Sequence, residues 1–146
     1  MSYRIGLDLG GTKVLGVVTD SDHKVIHRKK HRLSNRADIS AVMDQISNVY
    51  TALAEQVGDE KIDSVGIALP SPVDNELGHA KHLTAFQEKE LPVRDMLKER
   101  TGVDVKLGND VNMATLAEYK FGAGKGVSSL FTFYPGTGLG GGYIYK

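Results

Sequence analysis

The sequence contains no cysteine. Disulfides and thiolate metal sites are therefore excluded within this segment, which fits the expected cytoplasmic location. Proline is scarce at 4 residues, and none interrupts a helical pattern. No apolar run approaches the roughly 18–20 residues of a membrane span. The opening Met1-Ser2-Tyr3-Arg4 leads straight into a strand pattern, so no signal peptide is expected. Lysine and arginine total 18, and aspartate and glutamate also total 18. A neutral chain has no general pull toward nucleic acid or anionic membrane. What remains is a chain of 146 residues, 40% hydrophobic and 25% charged, enough for one domain with a real core.

Periodicity supplies the elements. Strand patterns cover about 3–9, 14–19 and 24–33, with the polar turn Asp20-Ser21-Asp22 between the last two, and they predict an antiparallel meander. Ile39, Val42, Met43, Ile46, Val49, Leu53 and Val57 recur at helical spacing up to Gly58. A short strand at 64–69 ends at Pro70-Ser71-Pro72, and a polar, glycine-containing loop follows to about Ala80. Pro92 suits a first helical turn, so 93–101 reads as helix closed by Gly102. A strand over 103–107, a helix over 112–121, a flexible connector over 122–126 and a strand over 129–134 follow. Pro135 to Gly142 reads as a second glycine turn, with a returning strand from Tyr143.

The densest chemistry lies in Leu7-Asp8-Leu9-Gly10-Gly11-Thr12-Lys13. A Gly-Gly-Thr turn exposes backbone N–H groups suited to a phosphate, and Asp8 suits the metal ion that travels with a nucleotide. A tight hairpin needing positive φ is the plainer alternative, although Asp8 would be costly to bury among apolar neighbours. The second turn matches G-x-G-x-x-G at Gly136, Gly138 and Gly141. A dinucleotide fingerprint must open a helix, and Tyr143-Ile144-Tyr145 has strand character, so that reading is rejected. Around Lys125, Gly126 stands where a P-loop needs Ser or Thr.

Gly108-Asn109-Asp110-Val111-Asn112 lies at a strand-to-helix junction. It is either an N-cap cluster or the site of a carboxylate that accepts a hydroxyl proton during phosphoryl transfer. Leu69 to Asp74 reads equally as a rigid turn or as the edge of a small polar ligand site. The basic run from Lys24 to Arg32 has no interleaved aromatic residue and reads as a charged edge strand. His79 and His82 have no ligand cluster around them that would suggest a metal site.

Four stretches together resemble the ROK family (repressors, open reading frames, kinases) of the actin-like ATPase superfamily. They are Ile5 to Lys13, Gly66 to Asp74, Asn109 to Asn112 and Gly136 to Gly142, in the family's order. The resemblance implies an α/β, actin-like (ribonuclease H-like) domain. It would have a mixed five-stranded sheet with flanking helices over 1–121, then a linker and the first hairpin of a second similar domain over 122–146. It implies ATP and Mg2+, with Asp8 in the magnesium shell and Gly10, Gly11, Thr12 and Lys13 at the phosphates. Thr137 and Gly138 match the second phosphate loop. Asp110 matches the catalytic base and Asn109 a sugar-hydroxyl ligand.

Ser71 stands where the family's kinases usually have glycine, and His82 where they commonly place a sugar-binding asparagine; both are read as substrate-pocket positions. Family members are about twice as long. Their remainder carries the adenosine pocket, further sugar contacts and zinc-binding cysteines, so no zinc site is expected in this segment. The expected activity is ATP-dependent phosphorylation of glucose or a related hexose, weak or absent in the isolated chain. A non-catalytic sugar-binding or regulatory module is the alternative. Exposed edges of the last hairpin favour a homodimer, and neither nucleic acid nor membrane is an expected partner.

Overall fold

The computed structural model describes residues 2–58, 61–136 and 138–146. The chain divides into two compact units, Met1–Gly108 and Asn109–Lys146.

The first unit opens with β1 (Tyr3–Leu9), β2 (Lys13–Thr19) and β3 (Val25–Arg32), paired antiparallel in sequence. Alternation along β1 turns Ile5, Leu7 and Leu9 inward, which places Gly6 and Asp8 on the opposite face. Helix α1 (Ile39–Ala54) is capped by the Asp38 carboxylate, which accepts the N–H groups of Ser40 and Ala41. It buries Val42, Met43 and Ile46 completely, each contributing about 1.5–3 kcal/mol of transfer free energy. The helix stops short of Val57; the Gly58 N–H bonds Ala54 C=O with Gly58 at φ +86°.

Strand β4 (Ile62–Leu69) returns parallel to β1. A small antiparallel sheet follows, made of β5 (Val73–Asp74), β6 (His79–Leu83) and β7 (Glu88–Leu91). The sequence reading has only a loop here. Its strands are short, and Lys81, Glu88, Lys89 and Glu90 mask the buried positions Ala80, Leu83 and Leu91. Helix α2 (Val93–Thr101) follows Pro92 and ends at Gly102 with φ +74°. Strand β8 (Val105–Asn109) completes the main sheet, two residues later than the pattern suggests.

The sheet order is β3-β2-β1-β4-β8, mixed and five-stranded as expected. Helices α1 and α2 share one face, where Tyr50 and Leu97 line a small cavity together with Leu7, Val65 and Val105. Arg100 joins the two helices, with Nε 2.6 Å from Asp44 Oδ1 and Nη2 2.7 Å from Ser40 Oγ. Gly16 marks the closest approach of α1 to β2: a Cβ there would lie 2.5 Å from Leu53 Cδ1.

The second unit holds α3 (Asp110–Phe121) and the hairpin β9 (Ser129–Pro135) and β10 (Leu139–Tyr145). β10 begins at Leu139, four residues before the expected start at Tyr143. Gly140 and Gly142 belong to the strand because α3 packs against them. A Cβ on Gly140 would lie 2.8 Å from Val111 Cγ2, and one on Gly142 would overlap Thr115 Oγ1. The connector at 122–126 is a hydrogen-bonded turn, since Glu118 C=O accepts the N–H groups of Gly122 and Gly124.

Candidate functional site

The β1–β2 turn is the best-defined element of the site. The Gly10 N–H donates to Lys13 C=O at 2.9 Å and closes it. Neither Gly10 nor Gly11 has a positive φ, so strained backbone does not explain the glycine pair. Both turn carbonyls are engaged: Arg36 Nη1 donates to Gly11 C=O at 2.8 Å, and the Leu33 N–H donates to Thr12 C=O at 2.9 Å. Among the described residues, the N–H groups of Gly11 and Thr12 meet no protein acceptor. The turn therefore ties down its acceptors and leaves donors open, the polarity an anion requires.

Asp8 is exposed at the end of β1, one residue before the last strand position. The cost of burying a carboxylate among apolar neighbours is therefore not incurred. The even positions of β1 lie opposite the helical layer, so its charge carries no burial penalty. Lys13 is exposed at the start of β2. Beside the turn is an open cavity of about 410 Å³ lined by Arg36, Ala37, Ala85, Phe86, Gln87 and Glu88. Gly11 adjoins that wall, because a Cβ on it would lie 3.2 Å from Ala85 Cβ.

Ser71 and His82 are brought together through the main chain. Ser71 is buried; its Oγ donates to Pro72 C=O at 2.7 Å and accepts the His82 N–H at 2.9 Å. The His82 side chain is exposed on β6. Below it, Lys81 Nζ lies 3.2 Å from Asp74 Oδ2 and 3.1 Å from Glu90 Oε2. The Leu77 N–H bond, followed by Lys81, holds the Asp74 carboxyl below its ordinary value. Glu90, then Asp74, raises the Lys81 ammonium. Sequence reasoning missed this network because its members lie on strands it did not assign.

In the second unit Asn109 caps α3, its Oδ1 accepting the Asn112 N–H at 3.1 Å. The capping reading of this junction is thus realised, with the helix starting two residues before the expected Asn112. Asp110 occupies the first helical position, half-buried, and its Oδ1 accepts the Val111 N–H at 2.8 Å. Among the described residues, Oδ2 has no hydrogen-bond partner. Gly136 N–H bonds Gly138 C=O at 2.8 Å across the second glycine turn, and Thr137 lies outside the described residues. Among the described residues no group of three or more His, Asp or Glu side chains gathers as a metal site, and no helix is long and apolar enough to cross a membrane.

A meander opening on a glycine turn, followed by parallel strands joined through helices on one face, is the architecture of actin-like sugar kinases. A glucokinase of the ROK family from Streptomyces griseus, solved with glucose and AMPPNP, superposes with a TM-score of 0.87 at 29% identity, covering 99% of this chain and 45% of that one. The ROK family model matches residues 4–146, and the chain belongs to that family. The glucokinase of Streptomyces coelicolor is 32% identical over 144 residues, which are 99% of this chain and 44% of the relative. The DNA-binding transcriptional repressor Mlc of Escherichia coli is 25% identical over 97% of the chain. The chain thus spans less than half the length of the curated relatives it matches.

Proposed function

We propose that the chain forms the N-terminal lobe (1–121), with the linker and first hairpin of a second lobe (122–146), of an ATP-dependent hexose kinase. The observation that carries this reading is the β1–β2 turn, with open donors at Gly11 and Thr12 beside exposed Asp8. Phosphoryl transfer requires placement and charge neutralisation more than covalent chemistry. Gly10, Gly11, Thr12 and Lys13 hold the ATP phosphates, and Thr137 and Gly138 form the second phosphate turn. A single exposed carboxylate such as Asp8 suits Mg2+, which binds through one or two carboxylates, keeps several waters and takes other ligands from phosphates. Mg2+ bound there supplies charge neutralisation on the phosphates.

Asp110 takes the proton from the sugar hydroxyl as that oxygen attacks the γ-phosphorus, and Asn109 binds a sugar hydroxyl. The sugar is glucose or a related hexose, the kind of ligand present in the Streptomyces griseus structure. Ser71 acts on the sugar site by fixing the β6 backbone at His82, whose exposed ring faces the ligand. Phe131, Phe133, Leu139, Tyr143 and Tyr145 are exposed on the hairpin and support a homodimer.

A non-catalytic sugar-sensing module is the second reading. It is favoured by the Ser71 hydroxyl, which bonds the main chain at Pro72 and His82, and by the likeness to Mlc. Separate calorimetric titrations with glucose and with MgATP decide between them. Binding of MgATP supports the kinase, whereas sugar binding without nucleotide binding supports the module.

A further inference from the structure

The main sheet ends in an open hydrogen-bonding ladder, and register fixes which groups that ladder presents. Strand β3 is outermost, next to β2. The Leu33 N–H donates to Thr12 C=O at 2.9 Å, and bonded and non-bonded pairs alternate along an antiparallel ladder. His31, Lys29 and His27 therefore turn their main-chain groups toward Val14, Gly16 and Val18 of β2. The other side of β2 agrees. The Gly10 N–H donates to Lys13 C=O, which directs the main-chain groups of Lys13, Leu15 and Val17 toward β1. The N–H and C=O groups of Arg28, Lys30 and Arg32 are left pointing away from the sheet, and among the described residues no other element bonds them.

Charge along this edge has one sign. Residues 23–37 contain Lys24, Arg28, Lys29, Lys30, Arg32 and Arg36 and no aspartate or glutamate, in a chain whose overall charge is zero. The side chains of Arg28, Lys30 and Arg32 share the face opposite α1, beside Val17, Leu15 and Lys13. All three are exposed, and among the described residues none of them takes part in an ion pair. They recur at about 6.7 Å, the two-residue step of a strand. Such a row guards against self-pairing, because a second β3 laid here would set like charges opposite one another. It attracts a strand whose alternate side chains are carboxylates, since opposite charges across a ladder stabilise the pair. Strand β3 offers no Phe, Tyr or Trp on which bases stack, which separates this surface from a single-stranded nucleic-acid site.

We propose that β3 is a docking strand for an extended acidic segment of a partner protein, which adds to the sheet edge as a further strand. Its main chain completes the ladder with Arg28, Lys30 and Arg32, and its alternate Asp or Glu side chains lie against their cations. Main-chain bonds supply the affinity, and the spacing of the carboxylates supplies the specificity. The docking does not use the open donors of the Gly10–Lys13 turn, so it is independent of the phosphate reading.

Calorimetric titration with an octapeptide of alternating Glu and Val, combined with amide hydrogen exchange of the chain, tests the docking. The peptide should bind at least about tenfold more tightly than its fully N-methylated form, which has no ladder donors, and than a peptide of the same composition with Glu and Val in separate blocks. Its affinity should fall as salt rises. The amide protons of Arg28, Lys30 and Arg32 should exchange quickly in the free chain and become protected at saturation, whereas those of His27, Lys29 and His31 are protected throughout. Arg28→Glu with Lys30→Glu should abolish binding, with an unchanged thermal midpoint reporting an intact fold, and the milder Arg28→Gln with Lys30→Gln should weaken it. No binding, equal affinity for the N-methylated or the block peptide, protection that bypasses the three amides, or binding that survives charge reversal each overturns the proposal. Single-stranded oligothymidylate bound as tightly as the peptide overturns it too, in favour of a nucleic-acid surface.

Discussion

Arg36 reaches back across the sequence to hold the carbonyl of Gly11, with Nη1 donating at 2.8 Å. The contact fixes one acceptor of the turn and leaves the Gly11 and Thr12 donors outward. Arg36→Ala should therefore loosen the turn and weaken MgATP binding about 2- to 13-fold, the worth of one hydrogen bond at about 0.5–1.5 kcal/mol. Arg36→Lys, which retains a donor, should recover part of the loss. Calorimetric titration of both variants checks this, and an unchanged affinity in Arg36→Ala would show that the turn holds itself.

The glycines between Gly136 and Gly142 divide by role. Gly142 lies against α3, so Gly142→Ala should destabilise the second unit by about 1–3 kcal/mol through overpacking on Thr115. An added Cβ at Gly138 meets nothing within 4 Å, so Gly138→Ala should leave stability nearly unchanged. Thermal denaturation of the two variants compares them directly.

Lys81, between Asp74 and Glu90, gives the small sheet a pH window. The Asp74 contribution is complete above its ordinary 3.8 and is lost as pH falls through its lower folded value. The Lys81 contribution is complete below 10.5 and is lost as pH rises through its raised folded value. Both groups are partly exposed, so solvent screening keeps the effect local. Amide exchange at Glu76 and Leu77 should show protection falling on the acid side, and Asp74→Asn should remove that acid limb.

Much of this fold was legible because burial follows simple periods. The β1–β3 meander, the core positions of α1 and the bounds of α2 follow from alternation, 3–4 spacing and the Pro92 and Gly102 punctuation. The small sheet was not legible: β5 has two residues, and charge alternation on β6 and β7 hides their three buried side chains. Tertiary packing also decided the role of the glycine run. In sequence Gly140 and Gly142 look like turn residues, and only the approach of α3 shows them to be strand positions. For Asp8 the residue type was informative and the burial argument was not, because strand alternation exposes it. The open donors at Gly11 and Thr12 depend on Arg36 and Leu33, contacts that no local pattern encodes.

The role proposed for Asp110 is that of general base. In a longer form that carries both lobes of the proposed kinase, Asp110→Asn should lower kcat by about 10²- to 10⁴-fold if it is the general base. MgATP affinity should change little. Steady-state kinetics with glucose measures both, and a near-normal kcat removes Asp110 from the proton transfer.

The most direct measurement is amide NMR of the chain during titration with MgATP. The account predicts that the Gly11 and Thr12 amide signals move first and furthest, saturating together with Gly10. Nucleotide-induced shifts that bypass these three residues, or no shifts at all at saturating MgATP, would contradict it.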